Sequence, residues 1–301
     1  MGICICDGSY KNDLTEYEDS ILKKYGVSAR SSEREIICLS DAGNVVAAKL
    51  YADMVFYKKI LRTSPYRDAF RLYLKASGLE MIVEDDVVSW KSSPHSYPLA
   101  FWMTGYFLVN YRRESVLKNC EKIEALEKMS LSDRVMMAFE LAAATLEYEN
   151  VSGAVNLIGR MLKEASEDSD LFSEMKDLIE EKVLTLEIPE IVIDKSHIES
   201  ASDCAELADT FFIAAAKAGY VFACNSLAAR EADRIVDMSR AIPLKDGTPE
   251  AEALKKDLKE RVIDYICYLR IAADRYEPYA SNRLGLFYMT GEIRGTVHSA
   301  D

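Results

Sequence analysis

Long stretches rich in alanine, leucine, glutamate and lysine run through the chain, and short polar or proline-containing segments separate them. Because these residue types favour helices, the pattern predicts an almost wholly helical protein. The predicted helices cover residues 12–25, 44–60, 65–77, 98–112, 115–129, 132–149, 152–166, 171–187, 201–217, 221–238, 249–273 and 278–290.

Several helix ends are marked by capping residues. Ser64-Pro65 and Thr248-Pro249 each place an N-cap residue before a proline at the first helical position, where the lack of an N–H group breaks no hydrogen bond. Asp13, followed by Glu16, predicts another helix start. Gly291 predicts the end of the last helix, since glycine commonly stops helices.

The helical pattern breaks in two places. Residues 188–194 contain Pro189 and several β-branched residues, which do not continue a helix, so we expect an extended connector there. Residues 78–90 fit either a short helix or an extended insertion. The predicted division is an N-terminal tail at 1–10, a helical lobe at 11–187, a connector at 188–200, a second helical lobe at 201–293 and a C-terminal tail at 294–301.

One small pattern recurs five times inside the predicted helices: an alanine is followed five residues later by glycine or alanine. Small residues mark places where two helices approach closely, so the pattern indicates repeated helix contacts. The first members are 53 to 69 residues apart, a period that favours stacked helical units. The pairs are Ala47/Ala52, Ala100/Gly105, Ala154/Gly159, Ala223/Ala228 and Ala280/Gly285.

The most complete copy resembles the Sel-one-like repeat, a helix–turn–helix relative of the tetratricopeptide repeat. Tyr276 stands where that family has glycine, and the spacing exceeds the family's unit of about 40 residues. The resemblance implies an all-α fold, an α/α superhelix (solenoid) of antiparallel helix pairs that binds a protein or peptide on its concave face. The residues that carry it are Ala272, Ala273, Ala280, Leu284, Gly285, Tyr288 and Gly291, with weaker matches at 215–228 and 43–52.

Composition and charge limit the classes of partner that we expect for the chain. The 301-residue chain is 49% hydrophobic and carries a net charge of −13, so we expect no nucleic-acid partner and no attraction to anionic membranes. The longest uncharged apolar run, residues 97–111, is too short to span a bilayer. No basic leader precedes an apolar signal segment, which predicts a cytoplasmic protein. Gly2 followed by Cys4 and Cys6 only partly fits an acylation signal, and a plain apolar tail is the preferred interpretation.

Candidate chemistry is sparse. The three histidines, His95, His197 and His298, have no cysteine or histidine partner at metal-ligand spacing. The chain has no glycine-rich phosphate loop and no nucleophile-elbow motif. We therefore predict no enzyme activity, cofactor or metal. Most of the seven cysteines are interpreted as small buried apolar residues in a reducing compartment.

Three clusters combine tyrosine with basic residues, and two of them follow their repeat alanine at similar distances. Tyrosine and arginine are common anchors in protein interfaces, which favours a ladder that grips an acidic or peptide ligand. The basic residues also have a structural explanation that involves no ligand, because cations near a helix C-terminus interact favourably with the helix dipole. The candidate partner-binding residues are Tyr57, Lys58, Lys59, Arg62, Tyr111, Arg112, Arg113, Tyr265, Tyr268 and Arg270.

These observations favour a protein–protein interaction scaffold or adaptor. Two other hypotheses stay open. One is a small-ligand sensor or helical enzyme with a site between the two lobes. The other is an architectural subunit that self-associates through apolar surface in residues 205–228.

Overall fold

The fold was derived from a computed structural model. The structure describes residues 16–28, 31–56, 60, 62–63, 65–84, 87–93, 95–111, 124–146, 151–188, 191–218, 220–242, 247–275 and 277–293. The chain divides into two compact units, the first within residues 5–214 and the second within residues 215–301.

The first unit is built from helices that pack in chain order. The helices are α1 (Glu16–Lys24), α2 (Glu33–Asp41), α3 (Val45–Phe56), α4 (Pro65–Ser77), α5 (Phe101–Asn110), α6 (Glu124–Lys128), α7 (Leu131–Leu146), α8 (Val151–Glu167), α9 (Ser169–Leu178) and α10 (Ala201–Lys217), whose last residues belong to the second unit. Among them α2 packs on α3, α3 on α4, α4 on α5, α5 on α7 and α8, and α8 on α9.

The second unit contains α11 (Val221–Ala241), α12 (Pro249–Ala273) and α13 (Pro278–Thr290). Its core lies where α11 and α12 meet, with Ala228, Ala232, Tyr265 and Leu269 all buried. Ala280 brings α13 onto the same core. Small residues on α11 opposite larger ones on α12 let the two helices pack closely.

The expected helical class is confirmed, and the ambiguous segment turns out to be extended. Strands β1 (Leu79–Glu84) and β2 (Val87–Ser92) pair antiparallel, from Leu79 opposite Ser92 to Glu84 opposite Val87. Gly78, with φ of 61°, turns the chain out of α4, and a Cβ there would lie 2.9 Å from Ser96 Cα. Only glycine fits this turn without strain.

The predicted cap signals at Thr248 and Gly291 are confirmed. Thr248 accepts a hydrogen bond from the Ala251 N–H, and Gly291 ends α13 in the left-handed conformation. One helix was missed: Ser32 and Glu35 form a capping box at the start of α2. The predicted cap Asp13 lies outside the described residues. The helix expected to reach residue 187 ends in a π-helical turn at Ile179–Val183.

The uncharged apolar run at residues 97–111 contains the core helix α5. Nine of the ten residues of α5 are buried. Within the described part of the chain, no helix combines the length and the apolar character that crossing a membrane requires.

The small residues of the recurring pattern lie at close helix contacts in the first unit. A Cβ on Gly105 of α5 would lie 2.6 Å from Leu157 Cδ2 and 3.3 Å from the Ala138 carbonyl oxygen of α7. A Cβ on Gly159 of α8 would lie 2.9 Å from the Phe212 ring and 3.3 Å from the Ala208 carbonyl oxygen of α10. Each glycine therefore lets a neighbouring helix approach its backbone.

The start of α10 is held by one carboxylate. Asp203 Oδ2 accepts hydrogen bonds from the backbone N–H groups of Glu199 (3.0 Å) and Ser200 (2.8 Å). Lys195 Nζ donates to Asp203 Oδ1 at 3.0 Å and to Glu206 Oε2 at 2.7 Å. The Lys195 hydrogen bond, aided by Ser200, lowers the pKa of Asp203 to about 2.

Replacing Gly159 by alanine tests the close helix contact. The added methyl group would press on the buried Phe212 ring, and we expect the free energy of unfolding to fall by about 1–3 kcal/mol. Gly285→Ala is the matched control, because no described atom outside its own helix lies within 4 Å of a Cβ there. Hydrogen exchange in dilute solution measures each helix separately. Equal protection of α8 in wild type and Gly159→Ala would contradict the contact.

Acid should loosen the start of α10. The pKa of Asp203 is about 2 in the folded chain, below its ordinary value of 3.8. Its contribution is therefore present above about pH 4 and is lost as the pH falls towards 2. The hydrogen-exchange protection of residues 201–206, corrected for the pH dependence of the intrinsic exchange rate, should fall over that range. Asp203→Asn should remove this pH dependence, whereas Asp237→Asn, at a side chain that is 79% exposed, should leave it unchanged. Identical profiles for wild type and Asp203→Asn would refute the assignment.

Candidate functional site

An aromatic cluster joins α3, α4 and α5. The Phe56 ring makes edge-to-face contacts with Tyr66 (5.8 Å between centroids), Tyr73 (6.5 Å), Tyr106 (6.2 Å) and Phe107 (5.5 Å). Such pairs add specific geometry to apolar burial, so they hold the rings in fixed positions. Tyr73 and Phe107 are buried, whereas Phe56, Tyr66 and Tyr106 are half-buried.

A buried ion pair is joined to this cluster through the Tyr73 hydroxyl. Lys49 Nζ lies 2.8 Å from Asp53 Oδ2, one turn along α3, and both side chains are almost fully buried. The Tyr73 hydroxyl donates to Asp53 Oδ1 at 2.5 Å. Because buried charges are tolerated only when they are paired and hydrogen-bonded, this network ties α3 to α4.

Arg160 of α8 extends the cluster across α5. Its guanidinium lies 5.2 Å from the Tyr106 ring centroid, a cation–π distance, and it donates a hydrogen bond to the Asn110 Oδ1. Asn110 is buried, so it holds the guanidinium in place. Among the described residues, Arg160 Nε and the Asn156 Oδ1 one turn earlier are buried and have no hydrogen-bond partner. This end of the cluster retains unused hydrogen-bonding capacity.

The half-buried members of the cluster are contiguous. Tyr66 contacts Phe56, Phe56 contacts Tyr106, and Tyr106 contacts Arg160. We call these four residues the aromatic–arginine surface. Its rings and guanidinium are fixed by buried neighbours, while part of each side chain faces solvent. The arrangement can bind an apolar side chain and a carboxylate side by side.

Of the first predicted cluster, only Arg62 belongs to the described residues. Tyr57, Lys58 and Lys59 directly follow Phe56 but lie outside the described residues. Arg62 is exposed and donates a hydrogen bond to the Tyr51 hydroxyl, with its guanidinium 5.9 Å from that ring.

The second predicted cluster is placed only in part. The Tyr111 ring lies 5.1 Å from the guanidinium of Arg134, whose Nη1 donates to the backbone carbonyls of Leu126 and Met129. Arg112 and Arg113 lie outside the described residues.

The third predicted cluster is divided between core and surface. Tyr265 is 4% exposed and belongs to the core of the second unit, and burial raises the pKa of its phenol. Tyr268 is half-buried against that core, and Arg270 is exposed. A buried phenol is not open to a partner, so Tyr265 acts in packing. A nearby pocket, lined by Tyr265, Tyr279, Arg283 and alanines of α11, has room for about one water molecule.

The histidines and cysteines of the described segments lie apart. His95 is exposed, and His197 lies 3.9 Å from a Glu180 carboxylate oxygen. No group of three metal-ligating side chains occurs among the residues that the structure describes.

Cys204 and Cys224 are buried as expected, and burial raises the pKa of Cys204 to about 11. Cys38 and Cys267 are exposed, and Cys4, Cys6, Cys120 and His298 lie outside the described residues.

The sequence did not identify the aromatic–arginine surface, although one signal points to it. Asp53, Tyr106 and Arg160 each lie six residues after the alanine of their recurring pair. Equivalent positions in the first three copies of the pattern therefore carry three residues of one connected network.

Comparison with protein-family models, with curated proteins and with solved structures found no match. The surface is therefore interpreted from its own geometry.

The ion pair beneath the surface is open to a direct test. Asp53→Asn removes the negative charge and leaves the Lys49 ammonium buried, so we expect a loss of about 3–5 kcal/mol in the free energy of unfolding. The double variant Lys49→Met/Asp53→Leu removes both charges and should be closer to wild type. Urea denaturation measures the free energy of unfolding of wild type and of both variants. An Asp53→Asn variant within about 0.5 kcal/mol of wild type would contradict the stated role, since surface substitutions fall in that range.

Proposed function

We propose that this chain is an interaction scaffold that binds a protein or peptide through the aromatic–arginine surface. The observation that carries the proposal is the contiguous row of half-buried Tyr66, Phe56, Tyr106 and Arg160, held in place from beneath by buried partners. Aromatic residues and arginine dominate the binding energy of protein interfaces. Side chains that are already fixed lose little conformational entropy on binding, which favours affinity.

The chemistry of the surface suggests the kind of segment that it binds. Arg160 presents a planar guanidinium beside the Tyr106 ring, and this geometry suits a carboxylate. Phe56 and Tyr66 offer apolar ring surface next to it. The proposed ligand is therefore a peptide segment or protein surface with an acidic residue close to an apolar one.

The order of helix packing supports a scaffold of stacked helix pairs. In the first unit, α5 contacts α7 and α8 at Gly105, and α8 contacts α10 at Gly159, and both glycines belong to the recurring pattern. Positions equivalent in the pattern carry Asp53, Tyr106 and Arg160, so stacking lines up residues from successive pairs. This arrangement is the basis for proposing an α/α superhelix of the kind that the Sel-one-like resemblance implies.

Affinity capture of partner proteins from a native cell extract tests the proposal. Wild type is compared with one variant on the surface and one control variant elsewhere. Arg160→Gln removes the guanidinium, and we expect recovery of the partner to fall at least about tenfold, since central interface arginines often contribute more than 1.4 kcal/mol. Arg71→Gln, at an exposed arginine of α4, is the matched control and should capture as wild type does. Circular dichroism checks that each variant folds.

Two outcomes would count against this function. If wild type and Arg160→Gln recover the same proteins in equal amounts, the partner does not bind at the aromatic–arginine surface. If wild type enriches no protein over beads that carry no bait in repeated extracts, the scaffold proposal itself fails.

A further inference from the structure

A small pocket lies within the second unit, where α11, α12 and α13 meet. Its two lining residues from α13 are at the mouth, since Tyr279 is 43% exposed and Arg283 is half-buried. The space inside has room for about one water molecule, so it admits only a small group. We call it the second-unit pocket. Its buried lining residues are Ala228, Ala232, Tyr265 and Leu269.

The Tyr265 hydroxyl is a buried donor that faces this pocket. The side chain is 4% exposed, and an edge-to-face contact with Phe287, 6.4 Å between centroids, fixes its ring. The hydroxyl interacts electrostatically with Arg283 and Tyr279, which places it towards the mouth. Burial raises the pKa of the phenol, so the hydroxyl stays protonated at neutral pH. Among the described residues, no group exchanges a hydrogen bond with it, and a buried donor without a partner costs stability.

The Arg283 guanidinium supplies a second donor at the mouth. Its Nε donates to the Tyr279 hydroxyl at 3.1 Å, and the guanidinium lies 5.2 Å from the centroid of that ring, so one tyrosine holds it in position. No carboxylate among the described residues pairs with Arg283, and residues 278–290 contain no acidic residue. The buried carboxylate of α11, Glu231, is already paired with two other arginines. The guanidinium can therefore bind an anion from solution.

Two donors beside an apolar wall suit one class of ligand. An ionised carboxylate has only acceptor oxygens, so one oxygen can accept from the Tyr265 hydroxyl and the other from the Arg283 guanidinium. The methyl groups of Ala228 and Leu269 suit an apolar remainder. A phosphate would leave further charged oxygens against these apolar walls, which costs free energy. The small size of the pocket restricts the remainder to a short chain.

We propose that the second-unit pocket binds a short-chain monocarboxylate through the Tyr265 hydroxyl and the Arg283 guanidinium. Tyr265 lies on α12 and Arg283 on α13, so the ligand joins the two helices. Because it binds the folded unit, it also stabilises that unit. All lining residues belong to the second unit, whereas the aromatic–arginine surface lies in the first, so this site is independent of the proposed function.

Titration of the full chain with sodium acetate tests the proposal, followed through the methyl NMR signals of Ala228, Ala232 and Leu269. Sodium chloride keeps the ionic strength constant. We expect saturable shifts with a dissociation constant of about 1–10 mM, since a ligand of so few atoms cannot bind tightly. Acetamide has nearly the same shape without the charge and should bind at least about tenfold more weakly. Methyl signals that do not respond to acetate, or that respond equally to acetamide, would overturn the proposal.

Two conservative variants locate the binding in the pocket. Tyr265→Phe removes the hydroxyl and keeps the ring, and Arg283→Gln removes the positive charge, so each should raise the dissociation constant for acetate at least about tenfold. The matched controls are Tyr288→Phe, at a tyrosine that is 66% exposed, and Arg240→Gln, at a side chain that is 78% exposed. Both controls should bind acetate as wild type does, and circular dichroism verifies that every variant folds. Acetate binding by Tyr265→Phe or Arg283→Gln that is as tight as in wild type would refute the assignment of the site.

Discussion

Close approach between helices at small residues is the constraint on which the first unit depends. A Cβ at Gly105 would lie 3.3 Å from a backbone carbonyl oxygen of α7, and a Cβ at Gly159 would lie 3.3 Å from one of α10. Any side chain at these positions would push the helices apart and move the residues that lie on them. The aromatic–arginine surface is sensitive to such shifts, because Tyr106 and Arg160 lie on α5 and α8, one residue after each glycine.

The same constraint explains why the buried charged groups of the first unit are paired. Helices that approach closely leave no room for water, so a charge on the contact face must find a partner within the protein. Lys49 and Asp53 are paired on α3, and the Tyr73 hydroxyl satisfies the second carboxylate oxygen. Arg160 similarly relies on Asn110 and the Tyr106 ring. The packing that positions the surface therefore also fixes the orientation of its supporting groups.

Local signals in the sequence predicted helix ends well and long-range contacts poorly. Thr248-Pro249 and Gly291 act within one turn, so their effect can be read from neighbouring residues. Ser32 and Glu35 form an equally local signal that the sequence analysis overlooked. Residues 78–90 stayed ambiguous because β-branched residues flanked by acids fit more than one local structure. The pairing of Arg160 with Asn110 joins residues 50 positions apart, which periodicity alone does not reveal.

A double-mutant cycle at Gly159 and Phe212 tests the central claim most directly. Phe212→Leu removes the ring that a Cβ at residue 159 would meet, so Gly159→Ala should be better tolerated in that background. The account predicts that the two changes are not additive, with a coupling of about 0.5–3 kcal/mol in the free energy of unfolding, in the direction of relief. Additive effects would mean that the two helices do not meet at this glycine, and the proposed basis of the stacking would be wrong.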